Sequence, residues 1–305
     1  METIYPCAQL GTNLSDQIVQ VNIPRNIFQT WKTKEVPDRW KTSPDSIRKH
    51  MPSWNYHLVD DQEMEQVVQI NFPDFYPYWK QFKYPIQRVD AWRYCMLYLY
   101  GGIYLDLDFE ILKPLDSLFT TNNEVYLVKS GNVSSTYTNA FLASKPGAQI
   151  WLDMIEYMKN PPSKWYHNVS KHLHIMYTTG PLALNQVANK TNTVIGVLPS
   201  VLVNPCSVCK INQCREMKQA WIKQLDGSSW HSWDSTVYNM AFCNWKILVP
   251  ILLVIVIILI AVWLWWKFNK SYKECGCQVY SDWSATDLNE SSFRSPFSTD
   301  YQATI

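Results

Sequence analysis

The first twenty residues, METIYPCAQLGTNLSDQIVQ, contain neither lysine nor arginine and no unbroken apolar stretch. A secretory signal needs a basic segment followed by an apolar one, so this stretch does not read as a signal peptide. The chain also lacks a charge bias: 27 basic residues meet 26 acidic ones, for a net charge of +1. No global field therefore argues for nucleic acid or another strongly charged partner. A second Cys-x-x-Cys is missing, which removes the pattern a zinc ribbon would need, and no internal repeat is found. With 305 residues, 47% of them hydrophobic, the chain is not a disordered protein and can build a sizeable core.

What is present begins with one apolar run. Residues 247–266, ILVPILLVIVIILIAVWLWW, carry no charge, and at about 1.5 Å per helical residue they match roughly the 30 Å hydrocarbon core of a bilayer. Trp245, Trp263, Trp265 and Trp266 lie near its ends, Lys246 and Lys267 bracket it, and Pro250 falls in the first turn, where proline is tolerated. This predicts a single transmembrane helix rather than a buried core helix. Lys267, Lys270 and Lys273 follow the run whereas only Lys246 closely precedes it, so the positive-inside bias puts the C-terminal tail in the cytosol and the N-terminal part in a lumen. Without a signal peptide, the late span alone would have to export that part. Sequons at Asn13, Asn132, Asn168 and Asn189, with another in the tail at Asn289, agree with the charge bias. Cys206, Cys209, Cys214 and Cys243 precede the span; they could form two disulfides, remain free or hold zinc, and their pairing is left open. Cys275 and Cys277, in KECGC, lie close enough to the membrane for S-acylation.

The organisation is α/β. Residues 1–22 are expected to form a loose arm and residues 23–245 a folded domain, followed by the span and a disordered tail at 267–305. IPRNIFQTW and WNYHLVDD read as strands, and SPDSIRKHMP between them as a helix with Ser43 as N-cap, which makes one βαβ unit. A helix from Pro85 to the stop at Gly101 runs straight into the strand IYLDLD. EVYLV and TNAFLAS read as further strands, and AQIWLDMIEYM and GPLALNQVANK as helices. Residues 200–245 show only short Trp-rich pieces.

The chemistry gathers at that strand. Alternation puts Asp106 and Asp108 on one face beside Tyr104. Neighbouring carboxylates repel, and one must take up a proton unless a cation compensates them; hard oxygen donors suit Mn2+ or Mg2+ with positions open for phosphates. A solvated turn at the strand's end is the plain alternative. One helix upstream, Asp90 and Arg93 are three apart and share a face. They either look into the same cleft or form a surface ion pair of little weight.

RVDAWRYCMLYLYGGIYLDLD, residues 88–108, closely resembles the Arg-x-Asp-x-x-Arg-Tyr…Gly-Gly-x-Tyr-x-Asp-x-Asp signature of glycosyltransferases with an Asp-x-Asp sugar-binding region. That group includes the fungal initiating α1,6-mannosyltransferase, inositol phosphoceramide mannosyltransferases and α1,4-galactosyltransferases. IPRNIFQTWKT resembles the family's first strand, with Phe28 where histidine is frequent, and GPLALNQ and GSSWHSWD resemble later loops. The resemblance covers residues 23–235. It implies a GT-A-like fold, a Mn2+ or Mg2+ cofactor, and transfer with retention from a nucleotide sugar, GDP-mannose before a UDP-hexose. The acceptor it implies is a lipid or glycan, in glycosphingolipid synthesis at a Golgi or ER membrane. By the same likeness Asp108 would bind the metal directly and Asp106 the ribose and metal-bound water. Asp90 and Arg93 would contact the donor's phosphates and sugar hydroxyls, and Trp31 its nucleobase, although Trp31 as a core residue is the rival reading. His231, between Trp230 and Trp233, is the candidate for a further metal ligand; a packed histidine is its alternative. Two other functions stand beside this one: a catalytically silent sugar-binding membrane protein, and a phosphohydrolase of the haloacid dehalogenase type. In the latter, Asp-x-Asp sits near the start of the domain and is followed differently from Phe109-Glu110.

Overall fold

The computed structural model describes residues 21–131, 136–162, 164–203, 209, 219–227 and 229–281, the last ten as backbone only. Cys206, Cys214, Asn13, Asn132, Asn289, the side chains of Cys275 and Cys277, and the first twenty residues of the expected arm lie outside it. The chain divides into one unit running to Cys243 and a second from Asn244.

The first unit opens with the expected βαβ: β1 (Asn26–Thr30), α1 (Thr42–His50) and β2 (Asn55–Val59), with the two strands parallel and in register from Asn26 opposite Asn55. Ser43 does not cap α1. A short 3-10 turn at Asp38–Trp40 already winds the chain into helical geometry at Lys41, so the helix starts earlier. Ser43 is buried instead, accepting from Gln29 Nε2 at 2.8 Å and donating to the Phe109 carbonyl at 2.5 Å.

Helices α2 (Asp61–Asn71), α3 (Tyr76–Lys80) and α4 (Pro85–Tyr100) follow. Asp60 caps α2 through a capping box with Glu63. Pro85 sits in the first turn of α4, where its missing N–H is no loss. Gly101 and Gly102, with φ of 60° and 99°, end α4 and turn the chain into β3 (Gly102–Leu105). A Cβ on Gly102 would lie 2.5 Å from the Asn26 carbonyl oxygen, so the turn needs glycine for both its backbone angle and its closeness to β1. Gly102→Ala is expected to lose at least ~1–3 kcal/mol of stability, read as a lowered denaturation midpoint.

The remaining elements are β4 (Phe109–Ile111), β5 (Val125–Lys129), β6 (Tyr137–Ser144), α5 (Gln149–Lys159), α6 (Lys171–Thr178), α7 (Pro181–Ala188), β7 (Ile195–Leu198), α8 (Ser200–Val203), β8 (Ile222–Gln224) and α9 (Trp233–Ser281). Six strands form a mixed sheet in the order β2-β1-β3-β6-β5-β7, in which β6 runs antiparallel to both β3 and β5. Strands β4 and β8 pair separately. Apolar clusters cover both faces of the sheet, one around Trp92, Tyr94 and Trp151 and the other around Ile47, Trp54 and Phe119. Strand β3 is buried throughout, with Tyr104 in the first cluster and Ile103 in the second. Such burial on both faces is why its sequence reads as a continuous apolar run.

Val21 and Asn22, assigned from sequence to the loose arm, are held to the body: Asn22 N–H donates to the Phe119 carbonyl at 3.0 Å. Cys209 is disulfide-bonded to Cys243, 34 residues apart, which resolves one pairing of the open set. Helix α9 spans 49 residues. Its residues 233–271 are, among the described residues, the one helix long and apolar enough to cross a membrane, and they contain the expected span. The expected disorder does not begin at 267. Once the apolar run has wound the helix, each further residue adds one hydrogen bond to it, and no proline interrupts the chain before Ser281.

Candidate active site

Strand β3 ends at Leu105, so Asp106 and Asp108 belong to the turn between β3 and β4 and not to the strand itself. Strand alternation therefore does not set their directions; their partners do. The turn is fastened by Asp106 N–H to the Ala140 carbonyl at 2.9 Å and by Leu225 N–H to the Asp108 carbonyl at 2.7 Å. Nor is the turn freely solvated: both aspartates line a cavity of about 460 Å³ and are only partly exposed to it.

Arg93 organises the floor of that cavity. Its guanidinium reaches Asp90 at 3.1 Å and Asp106 at 3.2 Å, donates to the Asn139 carbonyl at 2.6 Å, and lies 4.3 Å from the centre of the Tyr104 ring. Tyr104 in turn donates its hydroxyl to Asp106 at 2.8 Å. Asp90 accepts from Asn139 Nδ2 and from Thr179 Oγ1, each at 2.9 Å. With Asp90 3% exposed and Arg93 2%, this is a buried, hydrogen-bonded pair and not the surface ion pair that spacing alone allowed. Asp90, which also lines the cavity, thus has three protein partners, Arg93, Asn139 and Thr179.

The carboxylates feel their surroundings. Burial lifts Asp90 to about 6 against the pull of Arg93 and its hydrogen bonds. Burial lifts Asp108 to about 7, and the neighbouring Asp106 charge adds to the rise. Asp106 is also raised by burial, opposed by Arg93 and by the Tyr104 hydroxyl. Two partly desolvated carboxylates, one fixed to an arginine and the other with no ion pair among the described residues, form a pair that a divalent cation would relieve.

The donor chemistry of that pair fits Mn2+ or Mg2+, which take one or two carboxylates and complete their shells with water and phosphate oxygens. Among the described residues, no group of three or more His, Cys, Asp or Glu comes together as a metal cage. His231 lines the same cavity, its ring 4.6 Å from that of Trp230, but it does not cluster with the two aspartates. Trp31 is not a core residue: it follows β1, packs edge-on against Trp40 at 5.2 Å, and presents itself to the cavity. Sequence reasoning missed Asn139, Thr179, Gln224 and Lys171. For Asn139 there was a signal, a lone amide directly ahead of the apolar stretch 140–143 of β6. For the others none was visible.

Residues 37–125 match the family described as a glycosyltransferase sugar-binding region containing the DXD motif. Asp90, Arg93, Tyr104, Asp106 and Asp108 all lie inside the matched segment. It is 30% identical over 225 residues to inositol phosphoceramide mannosyltransferase 2 of Schizosaccharomyces pombe, covering 74% of this chain and 63% of that protein. To mannosyl phosphorylinositol ceramide synthase CSH1 of Saccharomyces cerevisiae it is 28% identical over 213 residues, covering 70% and 54%. The chain spans about three fifths of the length of such relatives. Among solved structures, the ligand-free glycosyltransferase domain of the YGT toxin aligns with a TM-score of 0.45 at 9% identity, over 59% of this chain and 81% of that one.

Proposed function

We propose that this protein is a membrane-anchored, metal-dependent, retaining glycosyltransferase. It moves a hexose, mannose in first place, from a nucleotide sugar to a lipid or glycan acceptor such as inositol phosphoceramide. The observation that carries this reading is the buried Arg93, joined through Asp106 to a carboxylate pair on the floor of a cavity that has Trp31 in its wall. A silent binder would have no use for a buried charge network whose assembly opposes desolvation. The names of the relatives reported above support mannose as the sugar; GDP-mannose is the proposed donor, and a UDP-hexose the second choice.

Asp106 and Asp108 would hold Mn2+ or Mg2+, which when bound neutralises charge growing on the departing nucleoside diphosphate. Arg93 adds a positive charge to the same region. Asp90, Asn139 and Tyr104 already fix its orientation, so it needs no rearrangement during the reaction. Trp31 offers an aromatic face to the nucleobase. The acceptor hydroxyl attacks on the leaving-group face and gives its proton to the departing diphosphate, so no protein nucleophile is required.

The domain would face a lumen of the Golgi or ER and the tail the cytosol. A disulfide between Cys209 and Cys243 suits an oxidising compartment, and Asn168 and Asn189, both sequon asparagines, are exposed. A first test is nucleoside diphosphate release by the full chain in detergent, across a panel of nucleotide sugars. Release is expected for one donor class, to be abolished by a chelator and to return with Mn2+. Equal release in the presence of the chelator would contradict the metal-dependent reading.

A further inference from the structure

Residues 229–232, which lead into α9, contribute Trp230 and His231 to the wall of the cavity, yet Ser229 and His231 themselves are exposed. What keeps them there is a buried cluster behind them. Asp234, in the first turn of α9, accepts from the His172 backbone N–H at 2.7 Å, from Ser232 Oγ at 2.6 Å and from the Ser235 N–H at 2.9 Å. One carboxylate thus satisfies orphan amides at the starts of both α6 and α9. The His172 ring pairs its Nδ1 with Ser235 Oγ at 3.1 Å. It stacks on Trp230, with centroids 5.5 Å apart and planes at 15°, and its other neighbours are Tyr238 at 4.7 Å and His231 at 6.2 Å. Lys171, next to it, donates to the Trp230 carbonyl at 2.8 Å. His172, Asp234 and Ser235 are 5%, 8% and 1% exposed.

We infer that His172, Asp234 and Ser235 are positioning residues: they latch the Trp230–His231 segment onto α6 and so form the wall of the donor cavity, without touching the reacting atoms themselves. The inference rests on the proposed transferase reading for its catalytic consequence, but not for the latch. A polar cluster this buried holds only one arrangement well, because each member loses its partners if the segment swings away. The ring of His172 is the part that bears on Trp230; Ser235 and Asp234 fix the ring and the helix starts that carry it. A donor bound against Trp230 and His231 would therefore lose affinity when the latch is broken, while the Arg93 network, which meets α6 only at its opposite end through Thr179, keeps its geometry.

The test uses the full chain in detergent with three variants, His172→Leu, His172→Asn and Ser235→Ala. Asn keeps a hydrogen-bonding group near the position of Nδ1, whereas Leu removes it. Hydroxyl-radical footprinting, read by mass spectrometry, should show oxidation of the half-buried Trp230 rising about twofold in His172→Leu, less in Ser235→Ala and least in His172→Asn. The KM for the accepted nucleotide sugar should rise about tenfold in His172→Leu with a smaller change in kcat, and the Asn variant should recover most of it. Unchanged footprints would overturn the latch. A changed footprint with unchanged KM would overturn its role in positioning the donor, as would a loss of kcat and melting temperature in parallel across all three variants. If the wild-type chain turns over no nucleotide sugar, the transferase reading fails while the footprint still decides the latch.

Discussion

Asp108→Asn is expected to reduce transfer by at least ~10²–10³-fold, the scale lost when one preorganised electrostatic group is removed from a developing charge, while the fold survives. The reasoning is local. Among the described residues Asp108 forms no ion pair, and burial together with the Asp106 charge raises it to about 7. A carboxyl whose folded pKa lies above its unfolded value is penalised as pH rises through that interval, because the folded state resists giving up the proton. In metal-free protein, the Asn variant should therefore be at least as stable as the wild type at pH 8, and this advantage should fade toward pH 4. Thermal denaturation with a chelator present, at both pH values, reads the stability side; donor turnover with Mn2+ reads the activity side. Lost activity together with retained or improved stability is the mark of a group kept for chemistry. Retained activity would remove Asp108 from the site.

Arg93→Met is expected to act on both fold and function. It leaves Asp90 buried at 3% exposure without its cation, and breaking a buried pair on one side costs about 3–5 kcal/mol. Asp90→Asn combined with Arg93→Met removes both charges, and the Asn amide can still meet Thr179 and Asn139. This double variant should recover a good part of the lost stability and none of the activity. The recovery, less the effect of Asp90→Asn alone, measures the coupling of the pair in a double-mutant cycle. The unrecovered activity measures the Arg93 charge facing Asp106. A double variant as unstable as Arg93→Met alone would show that packing around the guanidinium stem, not charge, holds the site together.

The parts of the molecule legible in its sequence are those set by neighbours along the chain. The βαβ start, the helix that Pro85 opens and Gly101 closes, and the two aspartates following the next strand all depend on local spacing and on residues with one conformational use. The network around Arg93 does not. Asn139 reaches Asp90 across 49 residues and Thr179 across 89; the antiparallel placement of β6 beside β3 brings the first there, and the packing of α6 against α4 the second. Spacing put Asp90 and Arg93 on one helix face but could not say that the face would be buried. Strand alternation was a poor guide to Asp106 and Asp108, because β3 stops one residue before them. Ser43 had the composition of a helix cap, yet a 3-10 turn upstream had already started the helix and freed its hydroxyl for the core. His231 was found through its aromatic surroundings; the buried His172 and Asp234 behind it, on separate elements, gave no local sign.

The central claim is transfer of a hexose from a nucleotide sugar to a membrane acceptor. Its most direct measurement is mass spectrometry of the lipid fraction after incubating the full chain, in detergent or lipid nanodiscs, with inositol phosphoceramide, Mn2+ and GDP-mannose or a UDP-hexose. The expected result is a lipid heavier by one hexose, formed with the wild-type chain and absent with Asp108→Asn. No hexosylated product with any donor or acceptor, despite metal-dependent binding of the nucleotide, would contradict it and leave a binding protein in place of a transferase.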